Sequence, residues 1–71
     1  MSRYLVIIEE SANGYSAFLP DLPGCIATGR TREEVEDLMR ERVAFHLEGL
    51  RESGDPVPPP RSTAAYVDVA A

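Results

Sequence analysis

Residues 31–54, TREEVEDLMRERVAFHLEGLRESG, decide the fold, because they contain the clearest helix pattern in the chain. The first four fit a capping box, in which the Thr31 hydroxyl accepts from the Glu34 amide and the Glu34 carboxylate reaches back to the Thr31 amide. No proline interrupts the stretch, and Gly54 can end a helix in a left-handed conformation. One broad apolar stripe recurs at helical spacing: Val35, Leu38, Met39, Val43, His46, Leu47 and Leu50. We therefore predict one long amphipathic helix that packs through this stripe.

Three short strand patterns precede the helix. Arg3–Glu10 is rich in aromatic and β-branched residues and is apolar on both faces, which predicts a central strand. Ser11–Gly14 contains an Asn-Gly pair, a strong hairpin signal, so Tyr15–Leu19 is predicted as the antiparallel return strand. Cys25–Arg30 follows as a third strand. The first part of the chain is therefore predicted as an antiparallel three-strand meander.

The segment after the helix is predicted as extended chain and then a fourth strand. DPVPPP at Asp55–Pro60 cannot continue a helix, because each residue before a proline is pushed out of the helical region. Ala64–Ala70 contains one tyrosine and two valines and gives a weak strand signal. Strand–helix–strand crossovers are right-handed, so we expect the fourth strand to lie parallel to strand one or three. The prediction is one α+β domain over residues 1–71, in the order β-β-β-α-β.

The connection SAFLPDLPGC, Ser16–Cys25, combines two prolines with the only cysteine of the chain. The prolines restrict the unfolded chain, the glycine supplies an unusual dihedral angle, and the aspartate can cap the turn through its own backbone. The predicted structural turn consists of Pro20, Asp21, Pro23 and Gly24. Cys25 has no basic sequence neighbour to activate its thiol, so we expect a small buried apolar residue rather than a reactive one.

Size and composition indicate a subunit interface. A core of 71 residues rarely supplies more than about 3–5 kcal/mol. One cysteine excludes an internal disulfide, and His, Cys and acidic residues show no metal-ligand spacing. No metal and no cofactor are therefore predicted. With a first strand that is apolar on both faces, we expect a homodimer or a homotetramer.

Charge and hydropathy limit the partners. The net charge of −5 argues against nucleic acid or an anionic membrane and suits a basic protein. No apolar run approaches the roughly 20 residues of a membrane span, and no signal-peptide pattern opens the chain. We therefore expect a cytoplasmic protein without a membrane partner.

The order of these motifs resembles the HicB-like antitoxins. The resemblance rests on NGY, LPDLPGC, the TREE helix start, HLEGL and G-x-PVP-x-P, and it covers Arg3 to about Pro60. It implies a truncated ribonuclease H-like fold and a domain that neutralises a small basic mRNA-cleaving toxin of the HicA type. A C-terminal DNA-binding domain usually follows in that family. This sequence stops at Ala71, so the expectation is a stand-alone domain without direct DNA binding.

Acidic side chains recur at helical spacing on the polar face of the predicted helix. The candidates for binding a basic partner are Glu34, Asp37, Glu41 and Glu48. A solvated charged face explains the same pattern, although its like-charge pairs at four-residue spacing repel each other. The uncovered sheet face is the second candidate surface for the partner.

An enzyme is not predicted. Ribonuclease H-like chemistry needs a carboxylate cluster for two metal ions, and the first strand has acids only at its end, Glu9 and Glu10. His46 lies within the apolar stripe without a visible acid–base partner, so a packed histidine is expected and no catalytic residue is assigned. The predicted function is an antitoxin-like binding module. The alternative is a stand-alone accessory or ligand-binding domain without a toxin partner.

Overall fold

Three antiparallel strands followed by one helix form an α+β fold in the computed structural model, which describes residues 2–70. The strands are β1 (Ile7–Ser11), β2 (Gly14–Phe18) and β3 (Ile26–Gly29), and the helix is α1 (Arg32–Ser53). The predicted meander and helix are confirmed in type and order. β1 and β3 are shorter than their sequence patterns, and β2 has the predicted length but begins one residue earlier.

The sheet order is β1-β2-β3, so β2 is the central strand and β1 lies at an edge. The prediction of a central first strand is wrong: within residues 2–70, no strand pairs with the outer edge of β1. The apolar residues on both faces of that strand are therefore not explained by contacts within this chain alone.

A tight hairpin joins β1 to β2, with Ser11 paired to Gly14. Gly14 has φ 147°, and a Cβ atom there would lie 2.3 Å from the carbonyl oxygen of Gly29 on the neighbouring strand β3. Both the dihedral angle and the close approach of the backbone require glycine. The glycine of the Asn-Gly pair thus lies where the β1–β2 hairpin contacts the end of β3.

The ends of α1 follow the local signals in the sequence. Thr31 is the N-cap, and its hydroxyl accepts from the Glu34 amide at 3.0 Å. Gly54 ends the helix at φ 74°, and its amide donates to the Arg51 carbonyl. Such caps satisfy backbone groups that have no partner within the helix.

The core lies between α1 and the inner face of the sheet. Ile8, Ala17 and Ala27 are aligned across the three strands on this face, and both alanines are buried. The helix packs over β2 and β3 rather than over β1. The core residues are Ala17, Leu19, Leu22, Cys25, Ala27, Val35 and Met39. The predicted burial of Cys25 is confirmed.

After the helix, residues 55–70 form no strand or helix. The fourth strand predicted over Ala64–Ala70 is therefore wrong for this chain by itself. Its large side chains are in solvent: Tyr66 is 102% exposed, Val67 80% and Val69 79%. Three alanines and Asp68 complete the segment, and these residues favour strands weakly, so a ladder partner would be needed to order it. The relation to ribonuclease H stays a prediction.

Candidate protein-binding surface

The four predicted partner-binding residues all lie on the exposed side of α1: Glu34, Asp37, Glu41 and Glu48. We call this set the acidic strip. Asp37 pairs with Arg40 at 2.7 Å, and both side chains are more than half exposed. An exposed ion pair of this kind contributes at most about 1 kcal/mol, so it does not commit Asp37 to a structural role. The strip is a solvent-facing acidic surface.

An exposed aromatic side chain lies inside the acidic strip. Phe45 follows Glu41 by four residues and precedes Glu48 by three, so the helix places it between them. Its side chain is 80% exposed. The sequence analysis missed this residue, although a phenylalanine off the apolar stripe and flanked by acids at helical spacing was the available signal.

A shallow depression of about 430 Å³ lies beside Phe45, at the junction of α1 and the edge strand β3. Ile26 borders it from the sheet and is 59% exposed. His46 lines the same depression and is half-buried. Two exposed apolar side chains thus face one depression next to the acidic strip.

Arg42 connects the middle of α1 to the edge strand β3 through a hydrogen bond. One guanidinium nitrogen of Arg42 donates to the Ile26 carbonyl oxygen at 2.7 Å, so that edge carbonyl is occupied. Cys25 lies behind it, 4% exposed. Burial raises the pKa of the Cys25 thiol, with Arg42 acting in the opposite direction, which leaves a protonated thiol that is a poor nucleophile.

The sheet face opposite the helix carries a second apolar feature. Ile7, Phe18 and Ile26 are aligned across the three strands, one on each. Phe18 is 40% exposed, so α1 and the rest of residues 2–70 leave this row accessible. Ile26 belongs both to this row and to the depression beside Phe45. The two candidate surfaces are therefore adjacent.

The predicted structural turn lies in the connection between β2 and β3: Pro20, Asp21, Pro23 and Gly24. The turn is closed by backbone bonds, from the Leu22 amide to the Leu19 carbonyl and from the Cys25 amide to the Leu22 carbonyl. The aspartate carboxylate is directed to the segment after the helix, as described next.

Asp21 holds that segment through three hydrogen bonds. One carboxylate oxygen accepts from the amides of Arg61 and Ser62 at 2.8 and 2.9 Å, and the other accepts from the Ser62 hydroxyl at 2.8 Å. The backbone bonds from Ser62 and Arg61 lower the pKa of Asp21 below its ordinary value of 3.8. We call this arrangement the Asp21 clamp. It fixes residues 61–62 against the β2–β3 connection.

Residues 2–70 offer no cluster of metal ligands and no membrane-spanning helix. That part of the chain contains no group of three or more His, Cys, Asp or Glu side chains placed to hold a metal ion. Its helix has 22 residues but is too polar to cross a membrane. Glu9 and Glu10 are exposed at the end of β1.

Aromatic and aliphatic side chains exposed beside a row of acids are features typical of a protein-binding surface. The chain belongs to the HicB-like antitoxin family, because the family model described as HicB_like antitoxin of bacterial toxin-antitoxin system matches residues 4–70. The resemblance drawn from the sequence motifs is thereby confirmed.

Individual proteins and a solved structure agree with this assignment. An uncharacterized 14.9 kDa protein of Haemophilus phage HP1 is 32% identical over 65 residues, which are 92% of this chain and 49% of the phage protein. The chain thus spans about half the length of that relative. A UPF0150 protein of Thermoplasma acidophilum is 32% identical over 57 residues, 79% of this chain and 83% of that one.

A chain of a solved HicA3 and HicB3 toxin-antitoxin complex matches with a TM-score of 0.70 and 32% sequence identity. The match covers 83% of this chain and 70% of the chain in the complex.

Proposed function

We propose that this protein is an antitoxin that binds and neutralises a small basic toxin of the HicA type, which cleaves mRNA. Membership of the HicB-like family and the match to a chain of a HicA3–HicB3 complex support this role. The observation that carries the proposal in this molecule is Phe45, 80% exposed between two acids of a helix.

The acidic strip supplies the attraction in this proposal. The chain has a net charge of −5, and the strip concentrates four carboxylates on one side of α1. Complementary charge raises the rate of encounter with a basic protein and fixes the orientation of docking, while adding less to the final affinity. A cationic partner also removes the repulsion between Asp37 and Glu41, which are four residues apart.

Phe45 supplies the apolar anchor. Binding energy at protein interfaces is concentrated in a few well-buried side chains, often aromatic, within a surface of weaker contacts. Phe45 and Ile26 flank one depression, so a toxin side chain inserted there buries both at once. The row formed by Ile7, Phe18 and Ile26 continues the apolar surface onto the sheet.

The test uses the product of the reading frame next to this gene as the candidate binding partner. Calorimetry should show a complex, and the complex should block RNA cleavage by that protein. Phe45→Ala should weaken binding by about 30-fold or more, the loss expected for an anchor residue. The comparison variant is Phe18→Ala, which truncates the other phenylalanine of the chain, on the sheet face at the margin of the proposed surface, and should weaken binding less than Phe45→Ala. A loss with Phe18→Ala alone would move the interface to the sheet face.

The same experiment distinguishes the alternative function. If the neighbouring protein neither binds nor cleaves RNA, the antitoxin role fails, and an accessory or ligand-binding domain becomes the better interpretation. If binding occurs but both phenylalanine variants bind normally, the role stands and the proposed surface is refuted.

A further inference from the structure

A long groove runs along the side of the molecule opposite the acidic strip. Because α1 packs over β2 and β3, the inner side of β1 and the residues before it are only partly covered, with the Tyr4 hydroxyl donating to the Pro58 carbonyl of the segment after the helix. The opening has a volume of about 860 Å³. Its apolar lining comes from both the β1 side and the helix: Tyr4, Val6, Ile8, Met39, Val43 and Leu47. An unpaired strand edge beside an apolar groove is a ready site for an added strand.

The charge of the groove is opposite to that of the whole protein. Three arginines line it, Arg3, Arg32 and Arg40, against one acid, Glu36. Arg32 pairs with Glu36 at 3.2 Å and Arg40 pairs with Asp37 of the acidic strip at 2.7 Å, so among the described residues Arg3 is the groove arginine without an ion pair. A basic toxin would meet like charge there. The groove instead fits an apolar segment that carries an acidic side chain.

The C-terminal segment, residues 64–70, has that composition. Its sequence is AAYVDVA, with Asp68 as its one charged side chain. Seven extended residues span about 23 Å, close to the length of residues 4–11 along the β1 edge. The apolar side chains of the segment are exposed to solvent, and the groove with its apolar lining is open to solvent.

The Asp21 clamp sets where this segment leaves the body. The clamp holds Ser62, and residues 62–64 then pass the rim of the groove. Beyond Ala64 the chain no longer lines the groove and continues into solvent. The radius of gyration is 13.9 Å, compared with roughly 11 Å for a compact domain of 71 residues. The segment therefore projects from its own domain and is free to reach a second one.

We propose that two copies of this chain exchange their C-terminal segments, each placing residues 64–70 in the groove along the β1 edge of the other. Tyr66 and the valines then cover the apolar lining, and Asp68 meets the arginines. The exchange is reciprocal, so it closes into a two-fold dimer rather than a filament. It also explains why the first strand is apolar on both faces although it lies at an edge. The proposal does not depend on the toxin.

Sedimentation of the full chain provides the first test. The unmodified protein should be a dimer at micromolar concentration. Tyr66→Ala should raise the dimer dissociation constant about 30-fold or more, as expected for an aromatic anchor. Ala44→Trp should also raise the dimer dissociation constant, because it fills the groove that receives the segment. Ala44 is exposed on the groove wall, so it can be enlarged without disturbing the core. Glu52→Trp, a bulky residue on another face of α1, should leave the dimer intact.

A second test distinguishes exchange from folding back within one chain. A nitroxide attached to Val69→Cys on one copy, mixed with an isotopically labelled copy that lacks it, should broaden the amide signals of Val43 and Leu47 in the labelled copy. Broadening only when the nitroxide and the isotope share a chain would overturn the exchange. So would a monomer at micromolar concentration, or a dimer that Tyr66→Ala and Ala44→Trp leave unchanged.

Discussion

The tightest steric requirement in the sheet is at Gly14, and replacing it with alanine should cost more than replacing any exposed glycine. Its φ of 147° lies in a region that residues with a Cβ atom rarely adopt, at a cost of about 1–3 kcal/mol. The new Cβ would also lie 2.3 Å from the Gly29 carbonyl oxygen, so backbone atoms must move. We expect Gly14→Ala to lower the free energy of unfolding by about 3 kcal/mol or more, most of the stability available to a domain this small.

Two further glycines separate the cost of the dihedral angle from the cost of the steric clash. Gly54 has φ 74° but open space around it, so Gly54→Ala tests the dihedral angle without a clash and should cost about 1 kcal/mol. Gly49 lies within α1 with open space and ordinary helical backbone, so Gly49→Ala should stabilise by about 0.5–1 kcal/mol.

The assay is urea unfolding followed by circular dichroism at one fixed protein concentration, because association would make the apparent stability depend on concentration. The expected order of stability is Gly49→Ala, unmodified protein, Gly54→Ala, Gly14→Ala. If Gly14→Ala loses no more than Gly54→Ala, the close approach to Gly29 contributes nothing, and the reasoning from the hairpin geometry fails.

Three other predictions concern the clamp and the function. Because the folded-state pKa of Asp21 is lowered, its bonds stabilise the clamp above pH 3.8 and are lost as the pH falls through the lowered value. The amide-exchange protection factors at Arg61 and Ser62, which are taken relative to the intrinsic rate at each pH, should therefore fall in acid, and Asp21→Asn should remove that pH dependence. Reversing Asp37 and Glu41 to lysine should slow association with the toxin and weaken its salt dependence; unchanged rates would exclude the acidic strip. Finally, the isolated protein should not cleave RNA with Mg²⁺ or Mn²⁺, as gel analysis of a labelled RNA would reveal.

Local signals predicted the parts of the fold that depend on neighbouring residues. The N-cap at Thr31, the end of the helix at Gly54 and the hairpin at Gly14 each follow from one residue type in one backbone conformation. Strand pairing beyond the hairpin depends on which other segment is available. The same apolar pattern in Arg3–Glu10 suits a central strand and an edge strand that a second chain covers, so sequence periodicity alone did not distinguish them.

The candidate site was predicted only in its charged part. The acidic strip is visible from spacing, because acids three, four and seven residues apart on a helix share one face. Phe45 was missed because an apolar residue on the polar face of a helix carries no periodic signal of its own. Ile26 was also missed, since its exposure depends on the sheet face being left uncovered. Ile26 needed the three-dimensional arrangement of the sheet, whereas the position of Phe45 between acids at helical spacing was visible in the sequence.

The separation of charge over the surface bears on how this domain could bind two kinds of partner at once. The acidic strip and Phe45 lie on one side of α1, and the groove with its three arginines lies on the other. Under the two proposals, a basic toxin is attracted to the first side, whereas a segment containing Asp68 is attracted to Arg3 on the second. Self-association through the groove would therefore leave the acidic strip free. A complex of two antitoxin chains with two toxin molecules is the arrangement that satisfies both surfaces.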